Sequence, residues 1–435
     1  MRLTEQAAAV AATTNLFELR GMVTEVAGLV VEATGPRVPV GSQVEIREVG
    51  KIIPAQVVGF RNDRTLIMPF GETAGIAPGA AVVGSETSAA VQVGDGLVGR
   101  VVDALGNPLD DYHPPMGTDL TPLLRPPPNP VTRQRIDSIF ETGVRAIDSL
   151  LTIGAGQRVG IMAGSGVGKS TLLGMIAKHS SSDIAVVGLI GERGREVREF
   201  IERDLGPAGL ARSVVVVATG DQSALLRLRA AYLATSYAEY FRSKGKRVVL
   251  MLDSVTRLAM AQREIGLAVG EPPSTRGYTP SVFAMLPKLL ERAGTDSAEG
   301  SITGLYTVLV EGDDMNEPVA DAVRGILDGH IVLSRKLAHK GHFPAIEVLE
   351  SISRVMSDIV DPDGKKLAQE AREVLSEFRD VEDLVLIGAY KEGTNPRIDR
   401  AIRLNGELIG FLRQFADSRA SYEETRQMLY QILRG

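Results

Sequence analysis

The residues best suited to chemistry in this chain form a glycine-rich run, AGSGVGKST, at positions 163–171. An apolar segment precedes the run and a helix-forming segment follows it, which is the context that a phosphate-binding loop requires. Glycines let successive backbone N–H groups turn toward phosphates, and the helix N-terminus adds positive potential. The run therefore predicts a nucleotide-binding loop, and a chance glycine-rich turn is the alternative.

Two side chains of this loop can act on the phosphates directly. Lys169 can reach the β- and γ-phosphates, and the Ser170 hydroxyl can bind the Mg²⁺ that bridges them. Ala163 stands where the strict motif has glycine, and we expect the turn to survive if that position needs no positive φ. The residues expected around the nucleotide phosphates are Gly164, Ser165, Gly166, Val167, Gly168, Lys169, Ser170 and Thr171.

Composition excludes several classes of function. The chain has 435 residues, 44% of them apolar and 23% charged, and a net charge of −6, which does not favour binding to nucleic acid. It has no cysteine, so disulfides, thiolate metal sites and cysteine nucleophiles are excluded. The first residues are too weakly apolar for a signal peptide, and no run approaches a transmembrane length. We expect a soluble, intracellular protein of two or three domains.

The N-terminal region predicts a short helix at 3–15 followed by a small closed barrel. Glycines and prolines separate its short β-type runs, as in barrels of this kind. Phe60 and Phe70 are expected in the core, because the region lacks the basic and aromatic face of a nucleic-acid platform. The predicted strands are 28–33, 43–47, 52–60, 65–68 and 80–83.

A parallel α/β sheet is predicted for the middle of the chain. The proline-rich stretch at 106–130 predicts an ordered linker without an element of its own. Beyond it, helical segments alternate with apolar runs that suit strands covered on both faces. These runs are 158–162, 184–190, 214–218, 247–252, 304–310 and 330–333.

Acidic residues follow two of these strands, at the edge where active sites of such sheets lie. Asp253 ends an apolar strand and can hold Mg²⁺, although capping the next helix is an alternative role. Glu192 follows the strand 184–190 and can polarise a water molecule, with Arg193 beside it. A solvated charged loop is the alternative for this segment.

Six segments in one order resemble the flagellar and type III secretion export ATPases, which are relatives of the catalytic subunit of rotary ATP synthases. The segments are AGSGVGKST, GERGREVREF, VVLMLDSVTR, AQREIGLAVGEPPSTRGYTPSVF, EGDDMNEP and FPAIEVLESISRV. The resemblance covers nearly the whole chain. It implies an N-terminal β-barrel at 1–88, a RecA-like P-loop ATPase core at 89–358, a C-terminal helical domain at 359–435, and a homohexameric ring.

The resemblance also implies roles for individual residues. Phe343 occupies the position of a residue that packs on adenine, although a buried core Phe is equally compatible with the sequence. Arg354 corresponds to an arginine finger that reaches the neighbouring subunit's nucleotide, and a surface ion pair is its alternative. The other implied roles are the phosphate lysine for Lys169, Mg²⁺ ligands for Ser170 and Asp253, the water-activating carboxylate for Glu192, and phosphate-side arginines for Arg193 and Arg257.

The end of the chain is predicted to be helical. Apolar residues recur at helical spacing from Leu367 to Phe378, and SYEE at 421–424 predicts a capping box at the start of the last helix. We interpret these stripes as core.

The predicted function is ATP hydrolysis that energises or primes protein export at the cytoplasmic face of an export apparatus, with the flagellar system favoured over the injectisome. The resemblance implies ATP and Mg²⁺ as cofactors. Its implied partners are export substrates with their chaperones, stator-like and central stalk-like subunits, and an export gate at the membrane. The alternatives are a catalytic subunit of a rotary ATPase or synthase, a noncatalytic nucleotide-binding subunit and, more distantly, an RNA-translocating hexamer.

Overall fold

The computed structural model shows a small barrel, a central sheet with helices on both faces, and a terminal group of helices. It describes residues 19–48, 50–84, 90–110, 117, 119–297, 299–310, 312 and 314–435. The helix expected at 3–15 lies outside the described residues. Among the helices that are described, none is long and apolar enough to cross a bilayer.

Six antiparallel strands close the barrel in the order β1-β2-β5-β4-β3-β6. They are β1 Leu19–Ala27, β2 Val30–Ala33, β3 Gln43–Glu48, β4 Lys51–Arg61, β5 Arg64–Pro69 and β6 Ala81–Gly84. The five predicted strands are confirmed. Sequence reasoning missed β1, because Val23 is the only fully buried residue among its nine and the apolar signal is weak.

The two barrel phenylalanines have different environments. Phe70 is buried and packs with Leu225 and Ile265 of the central domain, which fixes the barrel on that domain. The Phe60 side chain is exposed, so core packing was the wrong prediction for it. In β4 the buried positions are 53, 55 and 57, and a register shift between Val57 and Gly59 interrupts this alternation before Phe60, which lies next to the end of the strand.

The central sheet has nine strands, eight of them in the order β19-β18-β12-β17-β15-β13-β14-β8, with β16 paired to β17. The strands after the barrel are β7 Ala90–Val93, β8 Arg100–Asp103, β9 Asp119–Pro122, β10 Ile139–Phe140, β11 Ile153–Gly154, β12 Arg158–Ala163, β13 Ile184–Ile190, β14 Ser213–Ala218, β15 Arg247–Asp253, β16 Gly294–Thr295, β17 Ser301–Leu309, β18 Gly329–Leu333 and β19 Ile352–Ser353. All pairs are parallel except those of β16 and β19. The six strands predicted from apolar runs are confirmed.

The proline-rich segment contributes more than a linker. Its β9 pairs with β7, so the prediction that this segment holds no element was wrong at 119–122. The pairing joins segments about thirty residues apart, which local propensity does not reveal. Buried Arg292 then fixes the segment, because its guanidinium donates to the Leu123 carbonyl (3.0 Å) and forms two hydrogen bonds to buried Glu239 (2.7 and 2.8 Å).

Helices cover both faces of the sheet. They are α1 Arg145–Leu150, α2 Lys169–His179, α3 Gly194–Glu199, α4 Gly206–Leu210, α5 Ala224–Ser243, α6 Val255–Ala268, α7 Pro280–Leu290, α8 Pro318–Ile326, α9 Arg335–His339, α10 Met356–Ile359, α11 Pro362–Leu386, α12 Pro396–Leu412 and α13 Tyr422–Arg434. Alternate residues of β14 belong to different cores: Val215 and Val217 pack with α1, α2 and the terminal helices, whereas Val214 and Val216 pack with α5 to α8.

The terminal helices pack on the same core as the phosphate loop's helix, α2. The predicted stripe of α11 is confirmed, since its members from Leu367 to Leu375 are buried and Phe378 is partly buried against the same core. The capping box is also present: the Glu424 N–H donates to Ser421 Oγ (3.3 Å) and the Ser421 N–H donates to Glu424 Oε2 (2.9 Å). The C-terminal helices are therefore joined to the nucleotide loop through one apolar cluster.

Candidate active site

Four neighbouring parallel strands, β12, β17, β15 and β13, bring the predicted site residues to one edge of the sheet. The glycine-rich loop follows β12, Asp253 ends β15, and Glu192 lies two residues beyond β13. Gly166 (φ 76°) and Gly168 (φ 86°) have left-handed backbone conformations that favour glycine. Ala163 is the last residue of β12 and does not adopt a positive φ, so alanine is accommodated there as expected.

The Lys169 ammonium lies between two buried carboxylates. It forms an ion pair with Asp253 and a second with Glu192, where Nζ is 3.3 Å from Oε1. Burial lowers the pKa of Lys169, but attraction to Asp253 and Glu192 outweighs this effect and the net pKa is raised. Lys169 therefore stays charged and neutralises part of the negative charge of both acids.

Asp253 is held in place from a second direction. The Thr307 hydroxyl on β17 donates to Asp253 Oδ1 (2.7 Å), and both side chains are buried. Sequence reasoning missed Thr307, because its only signal is a polar residue within an apolar strand. The alternative that Asp253 caps the next helix is wrong: α6 is capped by Ser254, whose Oγ accepts from the Arg257 N–H (3.3 Å).

Glu192 combines burial with several charged neighbours. Arg257 Nη2 lies 3.4 Å from Glu192 Oε2, and the same guanidinium donates to the Gly191 carbonyl at 2.5 Å. Burial raises the pKa of Glu192 to about 7, while Lys169 and Arg257 oppose the rise and Asp253 supports it. A hydrogen bond with Glu196 raises the pKa of Glu192 further and lowers that of Glu196. A carboxylate with such a pKa is suited to exchange a proton near neutral pH.

A cavity of about 560 Å³ connects these groups. Its walls include the glycine-rich loop, Lys169, Ser170, Glu192 and Asp253. Arg335 was missed by sequence reasoning and also lines it, and its guanidinium lies against Gly164, where a Cβ would be 2.7 Å from Nε and the arginine would have to shift. The volume is within the range of pockets that hold small-molecule ligands and cofactors.

The oxygen donors of this cavity fit Mg²⁺. The Ser170 hydroxyl and the Asp253 carboxylate both line it, and hard oxygen ligands are those that Mg²⁺ prefers. No group of three acidic, histidine or cysteine side chains forms a metal cage in the described part of the chain. Mg²⁺ usually takes one or two protein ligands and completes its shell with phosphate and water oxygens. Thr171 faces a different partner, as its Oγ1 lies 3.3 Å from Asp204 Oδ1.

Phe343 lies beside the loop rather than in the core. Its side chain is 46% exposed, and its ring lies so close to Gly168 that a Cβ there would be 3.4 Å from Cδ1. The alternative of a buried core residue is therefore wrong. Phe415, which sequence reasoning missed, is 88% exposed and follows Gln414, whose N–H donates to the Phe343 carbonyl (2.9 Å). Phe415 therefore belongs to a segment that is hydrogen-bonded to Phe343.

Two of the predicted arginines do not reach the Lys169 cluster. The Arg193 side chain is 80% exposed and pairs with Glu196 (3.0 Å) at the rim. Arg354 is exposed and its N–H donates to the Asp328 carbonyl, just before β18, whereas the phosphate loop lies beyond the other end of the parallel strand β12. Five residues of strand separate these edges by about 16 Å. Among the described residues the structure records no ion pair for Arg354.

Three family models match successive parts of the chain. They are the ATP synthase alpha/beta family β-barrel domain at 23–85, the nucleotide-binding domain of the same family at 143–353, and the T3SS EscN ATPase C-terminal domain at 360–431. The third model distinguishes the chain from the rotary subunits considered as an alternative, because its description is specific to secretion ATPases.

Flagellar and type 3 secretion relatives match over most of the chain. The flagellum-specific ATP synthase of Bacillus subtilis (strain 168) is 57% identical over 415 residues, covering 95% of this chain and 94% of that protein. The type 3 secretion system ATPase of Xanthomonas euvesicatoria is 49% identical over 414 residues, covering 95% of this chain and 93% of that protein. The chain belongs to the flagellar and type III secretion ATPases.

Solved structures of this family extend the match to the fold. The assembled ATPase EscN from the type III secretion system of enteropathogenic E. coli has a TM-score of 0.89 and 44% identity, covering 95% of this chain and 100% of that chain. EscN in complex with its central stalk EscO has a TM-score of 0.88 and 44% identity, with the same coverage of both chains. The expected barrel, P-loop ATPase core and C-terminal helical domain are confirmed.

The pKa of Glu192 generates a testable pH dependence. If this carboxylate must be ionised to accept a proton from water, kcat/KM for ATP should fall as the pH drops below about 7. Removing the Arg257 cation in Arg257→Gln should move this acidic limb to higher pH, because the cation holds the pKa down. Arg195→Gln is the matched control, since it removes an exposed cation that pairs with Glu199 on the surface of α3. The role of Glu192 would be contradicted if the acidic limb of the kcat/KM profile kept its position in Arg257→Gln, or if it moved equally in both variants.

Proposed function

We propose that Lys169, Ser170, Glu192, Asp253 and Arg257 form the site at which this export ATPase hydrolyses MgATP. The observation that carries the proposal is the pairing of one partly buried ammonium with two buried carboxylates at the end of the glycine-rich loop. A purely structural ion pair would need one carboxylate. With two carboxylates present, Asp253 can bind the metal ion and Glu192 can activate a water molecule.

The first proposed step is an exchange of partners at Lys169. The triphosphate carries several negative charges and would compete with Asp253 and Glu192 for the ammonium, while the loop's N–H groups bind the phosphate oxygens. Asp253, still held by Thr307, and the Ser170 hydroxyl would then hold Mg²⁺. When bound, the ion would neutralise the negative charge that develops as the terminal phosphate departs.

The second proposed step is water activation by Glu192. A water oxygen attacks the γ-phosphorus, the bond from phosphorus to the bridging oxygen of ADP breaks, and the Glu192 carboxylate accepts the proton released by the water. Arg257 lies within 3.4 Å of this carboxylate, so it orients the acid and stabilises its ionised form. Arg193, at the rim with Glu196, is positioned to steady negative charge at the mouth of the site.

We propose that Phe343 and Phe415 hold the adenine between their rings. Exposed aromatic side chains next to a phosphate site offer a stacking surface that is insensitive to base hydrogen bonding. Both rings belong to segments joined by the Gln414 N–H bond to the Phe343 carbonyl.

We propose a homohexameric ring in which Arg354 acts on the nucleotide of a neighbouring subunit. The support is its exposure and its separation from the loop of its own subunit, since a guanidinium at the opposite edge of the sheet cannot reach those phosphates. The EscN structures, both of the assembled ATPase and one in complex with its central stalk, are the relatives on which the ring is based.

The proposed cellular role is to energise or prime protein export from the cytoplasmic face of an export apparatus, with the flagellar one favoured. Export substrates with their chaperones would bind at the C-terminal face of the ring, and stator-like and central stalk-like subunits would connect it to the export gate. Binding to nucleic acid is not part of this role.

Replacing Glu192 and Lys169 should separate binding from turnover. Glu192→Gln keeps the side-chain shape but cannot accept a proton, so the affinity for ATP should change little while kcat falls by about 10²-fold or more. Lys169→Ala should weaken ATP binding as well, because it removes the phosphate cation and leaves two buried carboxylates facing the phosphates. Calorimetric titration and steady-state hydrolysis distinguish the two variants. Substantial turnover by Glu192→Gln would refute the assignment.

Mixing two inactive variants should test whether Arg354 acts between subunits. Arg354→Ala alone should lose about 10³-fold in kcat, as for arginine fingers in other nucleotide hydrolases. Lys169→Ala has a dead site but an intact Arg354, so mixed rings should recover activity that neither variant shows alone. Verified mixed rings that stay inactive, or a nearly wild-type rate for Arg354→Ala, would disprove action in trans.

A further inference from the structure

Gln414 joins three separate segments of the chain beside the proposed adenine site. Its backbone N–H donates to the Phe343 carbonyl (2.9 Å), and its side-chain Oε1 accepts from the Arg145 N–H (2.9 Å). Its Nε2 donates to the carbonyls of Gly143 (2.8 Å) and Ser418 (2.9 Å). The side chain is buried, and its amide is satisfied on both the donor and the acceptor side.

The segment that Gln414 fixes is the turn between α12 and α13, which also carries Phe415. Other contacts of this turn are a hydrogen bond from the Arg145 guanidinium to the Arg413 carbonyl, the pair of the Lys178 ammonium with Asp417 (3.2 Å), and the packing of Ala416 on the apolar core. Asp417 is almost fully exposed, so that pair contributes little. The buried amide of Gln414 connects the turn to two backbone groups of the nucleotide-binding domain, those of Gly143 and Arg145.

Only a primary amide fits this position. Two carbonyl oxygens face Nε2 and one backbone N–H faces Oε1, so the environment requires two donors and one acceptor. A glutamate would place a carboxylate oxygen against two carbonyls, and an alanine would leave all three groups buried without this partner. The Phe415 ring is 88% exposed, so its own packing does not fix its position in the way that the buried amide fixes Gln414.

We propose that Gln414 is a positioning residue that holds Phe415 opposite Phe343, so that the affinity for the base of a nucleotide depends on the docking of the C-terminal turn. The inference rests on the proposed adenine site and goes beyond it. It states that a side chain that does not touch the nucleotide controls the affinity for the base. A substitution that detaches the turn from Gly143 and Arg145 would weaken binding of the base. Binding of the phosphates by the glycine-rich loop would not change.

The test compares Gln414→Ala, Gln414→Glu, Phe415→Ala and the double variant Gln414→Ala/Phe415→Ala, with the exposed Gln369→Ala on α11 as the matched control. The measurements are the Kd of MgADP, the Ki of tripolyphosphate as a ligand without a base, kcat and the melting temperature. Stacking of a base on an aromatic ring contributes about 1–3 kcal/mol, so loss of one face should weaken MgADP binding about tenfold.

The proposal expects that Gln414→Ala, Gln414→Glu and Phe415→Ala each raise the MgADP Kd about tenfold with an unchanged tripolyphosphate Ki, and that the double variant binds no worse than Phe415→Ala. Multiplying effects in the double variant, an equal loss of tripolyphosphate binding, or a wild-type Kd in both Gln414 variants would overturn it. If Gln414→Ala does not fold, Gln414→Glu decides the matter alone. A wild-type Kd in Phe415→Ala would remove the adenine assignment and this inference together, yet leave the hydrolytic role of Glu192 untouched.

Discussion

The structure depends on one electrostatic constraint: the ammonium of Lys169 is enclosed with two carboxylates, Asp253 and Glu192, in a buried site. Buried carboxylates are costly without a partner cation, and one lysine cannot fully compensate two. Arg257 pairs with Glu192 as well, so the two carboxylates share two cations. A triphosphate that draws Lys169 away would leave Asp253 without its cation, and Mg²⁺ bound to the nucleotide would replace that charge.

The parallel sheet is what makes this cluster possible. Its order places β17 between the strand of the phosphate loop and the strand that ends at Asp253, and Thr307 of β17 can therefore fix the acid from the side. The lysine is fixed because it starts α2, whose apolar face is buried in the same core as α11 and α13. A displacement of the C-terminal helices would therefore change the packing of α2, the helix that follows the phosphate loop. It would also move the turn that carries Phe415.

Sequence patterns predicted the parts of this arrangement that have a local signal. The glycine-rich loop, the apolar runs of the sheet and the capping box at Ser421 each express a backbone requirement in a few neighbouring residues. The resemblance to export ATPases supplied the domain order and pointed to Phe343 and Arg354, which spacing alone does not single out. Phe60 was misplaced, because an aromatic residue in a β-type run gives no sign of which face it occupies.

The residues that were missed act through contacts between distant segments. In the sequence, Thr307 is one polar residue within a strand, and its role depends on the contact with Asp253 of β15. Gln414 is one glutamine in a turn, and its role depends on the contacts of its amide with Gly143 and Arg145. β1 was missed because its burial depends on closure of the barrel. Such features depend on tertiary pairing, which the order of residue types within one segment does not contain.

The central claim is that Lys169 exchanges its carboxylate partners for phosphates when MgATP binds. The most direct measurement is a crystal structure of this chain with Mg²⁺ and a nonhydrolysable ATP analogue. The account predicts that Lys169 Nζ leaves Asp253 for phosphate oxygens, with Asp253 turned to the metal ion and Glu192 free to bind a water molecule near the γ-phosphorus. A nucleotide bound in the cavity while Lys169 still pairs with both carboxylates would contradict it.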